Sequence, residues 1–285
     1  MKPVDVVVLT TGERPGPLQA AVASARSQEG VEPRVVLVGN GTDPGPMDEG
    51  VTVRVLPDNI GVAAGRNLGA AVGSAEVVCF LDDDARYGSP EVLAAVLARF
   101  EADPRLAVVS FRVAGEDGRV MRQHVPMLRK GRWDRVVETT TFLGGASAVR
   151  RAAMTEVAGF PVEFFYGLEE TDLAWRLLDA GWRVVYAGDL VVIHPRVPVA
   201  RRTGAVFNTA RSRVLLVRRL LPLPLALLHL PIRFVLALSD LRSWSDFREL
   251  WRGHVSGFRA AIVRRRPLRW STVWRMTRLG RPPVV

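Results

Sequence analysis

Four short apolar runs, each stopped by glycine and polar residues, constrain this chain more than any other feature. Val4 to Leu9, Val35 to Val38, Val51 to Leu56 and Val77 to Leu81 are continuous and brief, which reads as strands buried in a sheet. Between them Leu18, Ala21, Val22 and Ala25 recur at helical spacing, and a second helical stretch runs from about Ala63 to Gly73. Strands alternating with helices at this spacing predict βαβ units and an α/β fold with a doubly wound, mostly parallel sheet.

Open sheets of that kind hold ligands in the crevice beyond the carboxyl ends of their strands. The loops at that edge carry Thr10, Thr11, Glu13, Asn40, Asp43, Asp58 and Asn59, and the fourth run stops on Asp82-Asp83-Asp84. Adjacent carboxylates repel unless a cation sits among them, and hard ions such as Mg²⁺ or Mn²⁺ take carboxylate oxygens. Alternate residues of an extended chain face the same way, so Asp82 and Asp84 can share one ion. A solvated acidic loop is the competing reading, and it weakens because the triplet follows a buried strand directly.

Asn59 to Asn67 sets glycines and Arg66 at a helix start, where free N–H groups and a guanidinium suit a diphosphate; a plain glycine turn is the alternative. Ser89-Pro90-Glu91 predicts a helix with Ser89 as its cap and Val92, Leu93, Val96, Leu97 and Phe100 on its buried face. Leu106 to Phe111 reads as a strand, Gly115 to Gly118 as a hairpin turn, and Arg119 to Arg135 as a mobile loop. Gly144-Gly145 lets backbone approach a ligand or makes a bulge. Glu169, Glu170 and Asp172 open a helix whose apolar face is Leu173, Ala174, Leu177 and Leu178, with Gly181 as its stop. Such acids either satisfy the helix dipole or, crowded and buried, include a carboxyl basic enough to take a proton. Val184 to Tyr186 and Val191 to Ile193 read as two short strands, the second ending at His194. His194 becomes a metal ligand only if the fold brings it beside Asp82 and Asp84.

Taken in order, the Thr-bearing first loop, Asp58 to Gly69, Leu81 to Asp84, Gly144-Gly145 and Glu169 to Leu177 resemble an inverting family 2 glycosyltransferase of the GT-A type. The resemblance runs from about residue 4 to about residue 220. It implies that Asp82 and Asp84 are the DxD motif, with Asp84 the principal ligand of Mg²⁺ or Mn²⁺ and Asp82 shared with the nucleotide. It implies a donor side of Thr10, Thr11, Glu13, Asn40, Asn59, Arg66, Asp82 and Asp83, and an acceptor side of Gly144, Gly145, Glu169 and Asp172. Glu170 falls at the catalytic base, where many members carry Asp. Bacterial galactofuranosyl- and rhamnosyltransferases look most similar; in the former a His after the base helix completes the metal site, and His194 matches that place. Many members read uracil with an Asp after the second strand, whereas Gly39-Asn40-Gly41 stands here, which leaves open dTDP or a different base contact. The implied reaction is transfer of a sugar from a nucleotide-diphosphate donor to a hydroxyl of a lipid-linked or cell-envelope glycan.

The charge is divided. The chain carries a net +10, yet residues 201–285 hold 18 Arg against 3 acids, leaving 21 basic residues and 26 acids before them. We therefore expect a catalytic domain over 1–200, with a nucleotide-sugar half to about 110 and an acceptor half beyond, then a basic amphipathic helical extension over 201–285. Arg211 to Leu238 is greasy but broken by Arg218, Arg219, His229, Arg233 and three prolines, unlike a spanning helix and closer to one lying on an anionic bilayer. Trp244, Trp251, Trp270 and Trp274 among arginines fit a headgroup boundary. The lone Cys79 and the lack of an export signal predict a cytoplasmic enzyme at the inner face of the membrane. A nucleic-acid- or membrane-binding protein on a catalytically silent GT-A scaffold is the rival; the Leu-Pro runs and missing nucleic-acid motifs speak against nucleic acid, and intact Asp82, Asp84 and Glu170 against a silent scaffold.

Overall fold

The computed structural model describes residues 1–127, 131, 133–195, 204–262 and 264–283. The expected boundary near residue 200 lies outside the described residues, as do 128–130 and 132 of the loop expected to be mobile. The first six elements follow the sequence pattern: β1 (Pro3–Thr10), α1 (Pro15–Arg26), β2 (Glu32–Asn40), β3 (Val51–Leu56), α2 (Val62–Val72) and β4 (Val77–Asp82). Then come β5 (Arg86–Tyr87), α3 (Val92–Ala102), β6 (Leu106–Ala114), a short 3₁₀ turn at Arg122–His124, β7 (Val136–Glu138), β8 (Ala146–Arg150), α4 (Arg151–Glu156), α5 (Glu169–Asp179) and β9 (Arg183–Ile193). Four helices close the chain: α6 (Ala205–Leu220), α7 (Leu223–Ser239), α8 (Trp244–Arg259) and α9 (Trp270–Arg278).

The strands form one sheet in the order β3-β2-β1-β4-β8-β6-β9-β5, with β7 also on β9. The first four are parallel, β8 runs against both β4 and β6, and β9 is parallel to β6. From β1 the chain builds outward through β2 and β3 and returns to lay β4 on the other side of β1. That reversal is the switch point, and it opens a crevice between the carboxyl ends of β1 and β4.

Strand alternation divides the core into two layers. Val77, Cys79 and Leu81 of β4 pack with Leu18, Val22, Leu93 and Phe100, while Val78 and Phe80 pack with Ala63, Leu173, Leu177 and Leu215. Each fully buried Val, Leu or Phe contributes about 1.5–3 kcal/mol. The sheet is thus rigid where it delivers the acid triplet.

Three local expectations change. Helix α3 begins at Val92, because Gln28, not Ser89, caps it: its Oε1 accepts from Leu93 N at 3.0 Å while its Nε2 donates to Ser89 O at 2.9 Å. The two strands expected after Gly181 are one, β9, whose pairing with β6 jumps from Ala187 to Val191 through a bulge. The segment Arg211 to Leu238 is two helices broken at Leu221-Pro222, and the first is no surface helix: Val214, Leu215, Leu216, Val217 and Leu220 are buried.

Candidate active site

Because β4 lies between β1 and β8, its last residue is clamped on both sides. Leu9 pairs with Asp82, and Asp82 N donates to Gly145 O at 2.9 Å. Thr10, buried at the end of β1, donates through Oγ1 to Asp83 Oδ2 at 2.6 Å and accepts from Gly12 N at 3.0 Å. The middle acid thus turns toward the first loop, and the outer two face the crevice.

His194 closes that crevice from the end of β9. One ligand atom from each of Asp82, Asp84 and His194 lies within 4.8 Å of the others. His194 Nδ1 bonds Pro195 O at 2.8 Å, which makes Nδ1 the donor and leaves Nε2 facing Asp84 Oδ1 at 3.0 Å. Two lone-pair atoms at that distance need a proton or a metal between them. Two hard oxygens, an imidazole nitrogen and a backbone carbonyl fixing the tautomer are the donor set of a divalent ion.

Arginines hold the acids in register. Arg66, buried in the first turns of α2, donates to Asp82 Oδ1 at 3.3 Å and to Glu169 Oε1 at 3.0 Å, and its guanidinium lies over the Phe160 ring at 5.9 Å. One side chain therefore ties the tip of β4 to the start of α5. Arg14, in the loop before α1, pairs with Asp84 Oδ2. Sequence reasoning passed over Arg14; the available signal was a cation in the loop already singled out for Thr10, Thr11 and Glu13. It also passed over His124, whose ring centroid is 6.2 Å from that of His194. Burial first, then the charge of His194, lowers the His124 pKa.

Gly144 and Gly145 serve this packing. A Cβ on Gly145 would lie 1.8 Å from Asp82 Oδ1, and one on Gly144 would lie 2.2 Å from Arg66 Nη1. The pair admits two neighbouring side chains of the site, where sequence reasoning had left ligand approach or a bulge.

Glu169 and Glu170 head α5 behind Leu168, which adopts a left-handed backbone at φ 66°. For a side chain that conformation costs about 1–2 kcal/mol. No side chain caps the helix. Oε2 of both glutamates is buried without a hydrogen-bond partner, although Glu170 as a residue keeps part of its surface. Burial, and next the charge of Glu169, raises the Glu170 pKa well above the ordinary carboxylate range. A carboxyl in that state is a stronger base than a solvated one.

Other candidates stand apart. Asp172 is fully buried and paired with Arg176 at 2.5 Å and Arg219 at 2.9 Å, so it anchors α6 to α5. Asn40 Nδ2 donates to Asn59 Oδ1 at 2.9 Å, and Asn40 Oδ1 accepts from Ile60 N at 2.9 Å, locking the two loops together. Thr11 and Glu13 are exposed on the first loop.

Known proteins resemble this chain in sequence and in fold. Residues 5–157 match Glycosyl transferase family 2, and residues 128–192 match the N-terminal domain of galactosyltransferase. The chain is 34% identical over 149 residues to the pre-mycofactocin glycosyltransferase of Mycobacterium tuberculosis, a match covering 48% of this chain and 31% of that one. It therefore spans about a third of that relative's length. To the N-acetylglucosaminyl-diphospho-decaprenol L-rhamnosyltransferase of the same organism it is 28% identical over 233 residues, covering 67% of this chain and 75% of that one. The mannosyltransferase PcManGT from Pyrobaculum calidifontis, solved with GDP-Man and Mn²⁺, shares the fold at TM-score 0.58 and 19% identity, over 97% of this chain and 72% of that one. With the sheet order, the acid triplet and a family match over more than half the residues in agreement, the chain belongs to glycosyl transferase family 2 and has its GT-A fold.

Proposed function

We propose that the chain moves a sugar from a nucleotide-diphosphate donor to a hydroxyl of a lipid-linked or cell-envelope glycan, by single displacement with inversion at the anomeric carbon. One observation carries this reading: Arg66 joins the Asp82–Asp84–His194 cluster to the buried Glu169–Glu170 pair, so a cation site and a basic carboxyl flank one crevice. Asp82, Asp84 and His194 would hold Mg²⁺ or Mn²⁺, which neutralises charge on a departing diphosphate. Arg66 and the first loop bind the donor, with Asp83 fixed by Thr10 and the loop of Asn40 and Asn59 braced behind them. Arg14, which pairs with Asp84 here, would be free to meet the diphosphate if a divalent ion occupied that carboxylate instead. Glu170 takes the proton of the attacking hydroxyl, and burial beside Glu169 makes its carboxylate a stronger base than a solvated one. Gly144, Gly145 and Glu169 border the acceptor side.

A relative that is an N-acetylglucosaminyl-diphospho-decaprenol L-rhamnosyltransferase supports a lipid-linked acceptor. No helix among the described residues is long and apolar enough to cross a membrane. Contact with the inner face of an anionic bilayer is proposed through α7, whose outward side is apolar, and the exposed tryptophans of α8 and α9.

The test is release of nucleoside diphosphate from a panel of nucleotide sugars, with and without chelator. Glu170→Gln is expected to lower turnover by about 10²–10⁴-fold while donor binding holds. Equal losses in turnover and donor binding, or full activity in chelator, would overturn the assignment.

A further inference from the structure

Helices α6 and α8 meet backbone to backbone, and beside that seam lies a groove which the transferase reading leaves unassigned. A Cβ on Gly253 would lie 2.5 Å from Phe207 O, and one on Gly257 would lie 2.9 Å from Arg211 O, so α8 comes this close to α6 only with glycine at both positions. The groove encloses about 610 Å³. Arg252, Val255 and Arg259 follow at helical spacing along its α8 wall, with Trp251 beside them, and Phe207 and Arg211 stand one turn apart on the α6 wall.

No acid lines this groove. Among the described residues none of Arg211, Arg252 and Arg259 pairs with a carboxylate, whereas Arg219, about two turns along α6 from Arg211, pairs with two. Arg211 is held in place: its Nη1 donates to Glu163 O at 2.7 Å, and the next residue, Ser212, donates through Oγ to Tyr166 O at 3.1 Å. Glu163 and Tyr166 belong to the segment that leads into α5, so the groove wall is tied to the segment ending at Glu169 and Glu170. Like charges lining one groove repel, and a phosphate relieves them because it accepts from planar guanidinium groups two bonds at a time. Phe207, Val255 and the 57% exposed Trp251 add apolar surface that suits hydrocarbon. Helix α7, with its exposed leucines, packs on the same two helices, and its Phe234 ring is edge-on to His254 of α8 at 5.1 Å.

We propose that the α6–α8 groove binds the diphosphate of a lipid-linked acceptor, with the first units of its hydrocarbon chain on Phe207 and Trp251. The inference rests on the reading of the chain as a transferase to a lipid-linked glycan and deepens it, by naming where the part of the acceptor that does not react is held. Such a molecule is recognised by charge at its middle and by hydrocarbon at one end. Arginines flanked by aromatic rings answer both, whereas an inorganic anion uses only the first and a neutral lipid only the second.

The experiment titrates the full chain calorimetrically, in EDTA, with farnesyl diphosphate, inorganic pyrophosphate and farnesol, and floats it with phosphatidylcholine vesicles containing phosphatidylglycerol. EDTA keeps metal from Asp82, Asp84 and His194, so no diphosphate is drawn to that site. Farnesyl diphosphate is expected to bind about tenfold or more tighter than either other ligand, and Arg252→Gln/Arg259→Gln to weaken it about tenfold or more. Both arginines are exposed on α8, so the double variant should keep the parent Tm. Equal binding of pyrophosphate and farnesyl diphosphate, binding unchanged in the double variant, or arginine-dependent flotation without farnesyl diphosphate binding each overturns the proposal. Asp84→Asn should leave the binding in EDTA intact. Arginine-dependent binding in a chain that turns over no nucleotide sugar would sink the transferase reading and keep the groove as a lipid-diphosphate site; turnover without that binding would sink the groove alone.

Discussion

Helices α6 and α7 follow each other in the chain, both rich in leucine and valine and both carrying arginine, yet they are turned inside out relative to one another. In α6 the apolar residues Val214, Leu215, Leu216, Val217 and Leu220 are buried, and its last arginines point inward: Arg218 to Gly257 O and Ala260 O, Arg219 to Asp172 and Glu163. In α7 the leucines are outside, with Leu223, Leu227 and Val235 each more than 60% exposed. Hydrophobicity alone does not predict burial here. Helix α6 lies against α5 and α8, which offer carbonyls, carboxylates and apolar surface together; no described element covers the outward side of α7.

Substitutions can break or sharpen this contrast. The largest expected effect is Arg219→Met, which leaves the buried Asp172 with Arg176 alone and the half-buried Glu163 without its partner, and should cost about 3–5 kcal/mol in chemical denaturation. A loss below about 1 kcal/mol would mean that the α5–α6 ion pairs do not hold the helix. Next, Leu215→Ala in α6 should cost about 2–5 kcal/mol, while Leu228→Ser in α7 should stay within about 0.5 kcal/mol of the parent in lipid-free buffer. Comparable losses at both positions would show that α7 is covered after all.

The smallest effect belongs to the sheet edge, where charge is compensated within the site. The raised Glu170 pKa means that the folded chain keeps a proton which the unfolded chain releases near 4.5. Stability therefore falls as pH rises above that value toward the folded pKa, by the linkage of at most one proton. Glu170→Gln should remove this slope from a Tm-against-pH series, and an unchanged slope would place the shift elsewhere.

Much of the candidate site was legible because it is written in local pattern. A buried run ending on Asp82-Asp83-Asp84, and a helix opening on Glu169-Glu170, need only a few residues to be recognised. His124 escaped because nothing local distinguishes it from a solvated loop residue, and Arg14 was passed over within a loop otherwise singled out; the significance of each is a contact with His194 or Asp84 across the chain. Gln28 escaped as the cap of α3 for the same reason, since its partner Leu93 is remote in sequence. The side chains of Asn40 and Asn59, expected on the donor side, also brace each other and the loop backbone, which no local pattern announces.

By itself the sequence determined where the strands and helices of the first half form, which of their residues face the core, and that acids gather at a strand tip. These follow from side-chain periodicity and backbone preference, which act over a few residues. Only the tertiary structure decided which charges are neutralised. It set Arg66 between Asp82 and Glu169, buried Arg219 on Asp172, and turned the leucines of α7 outward. The physical reason is that a charge gains or loses stability through desolvation and through partners brought together from distant parts of the chain, and neither is encoded in any short stretch of it.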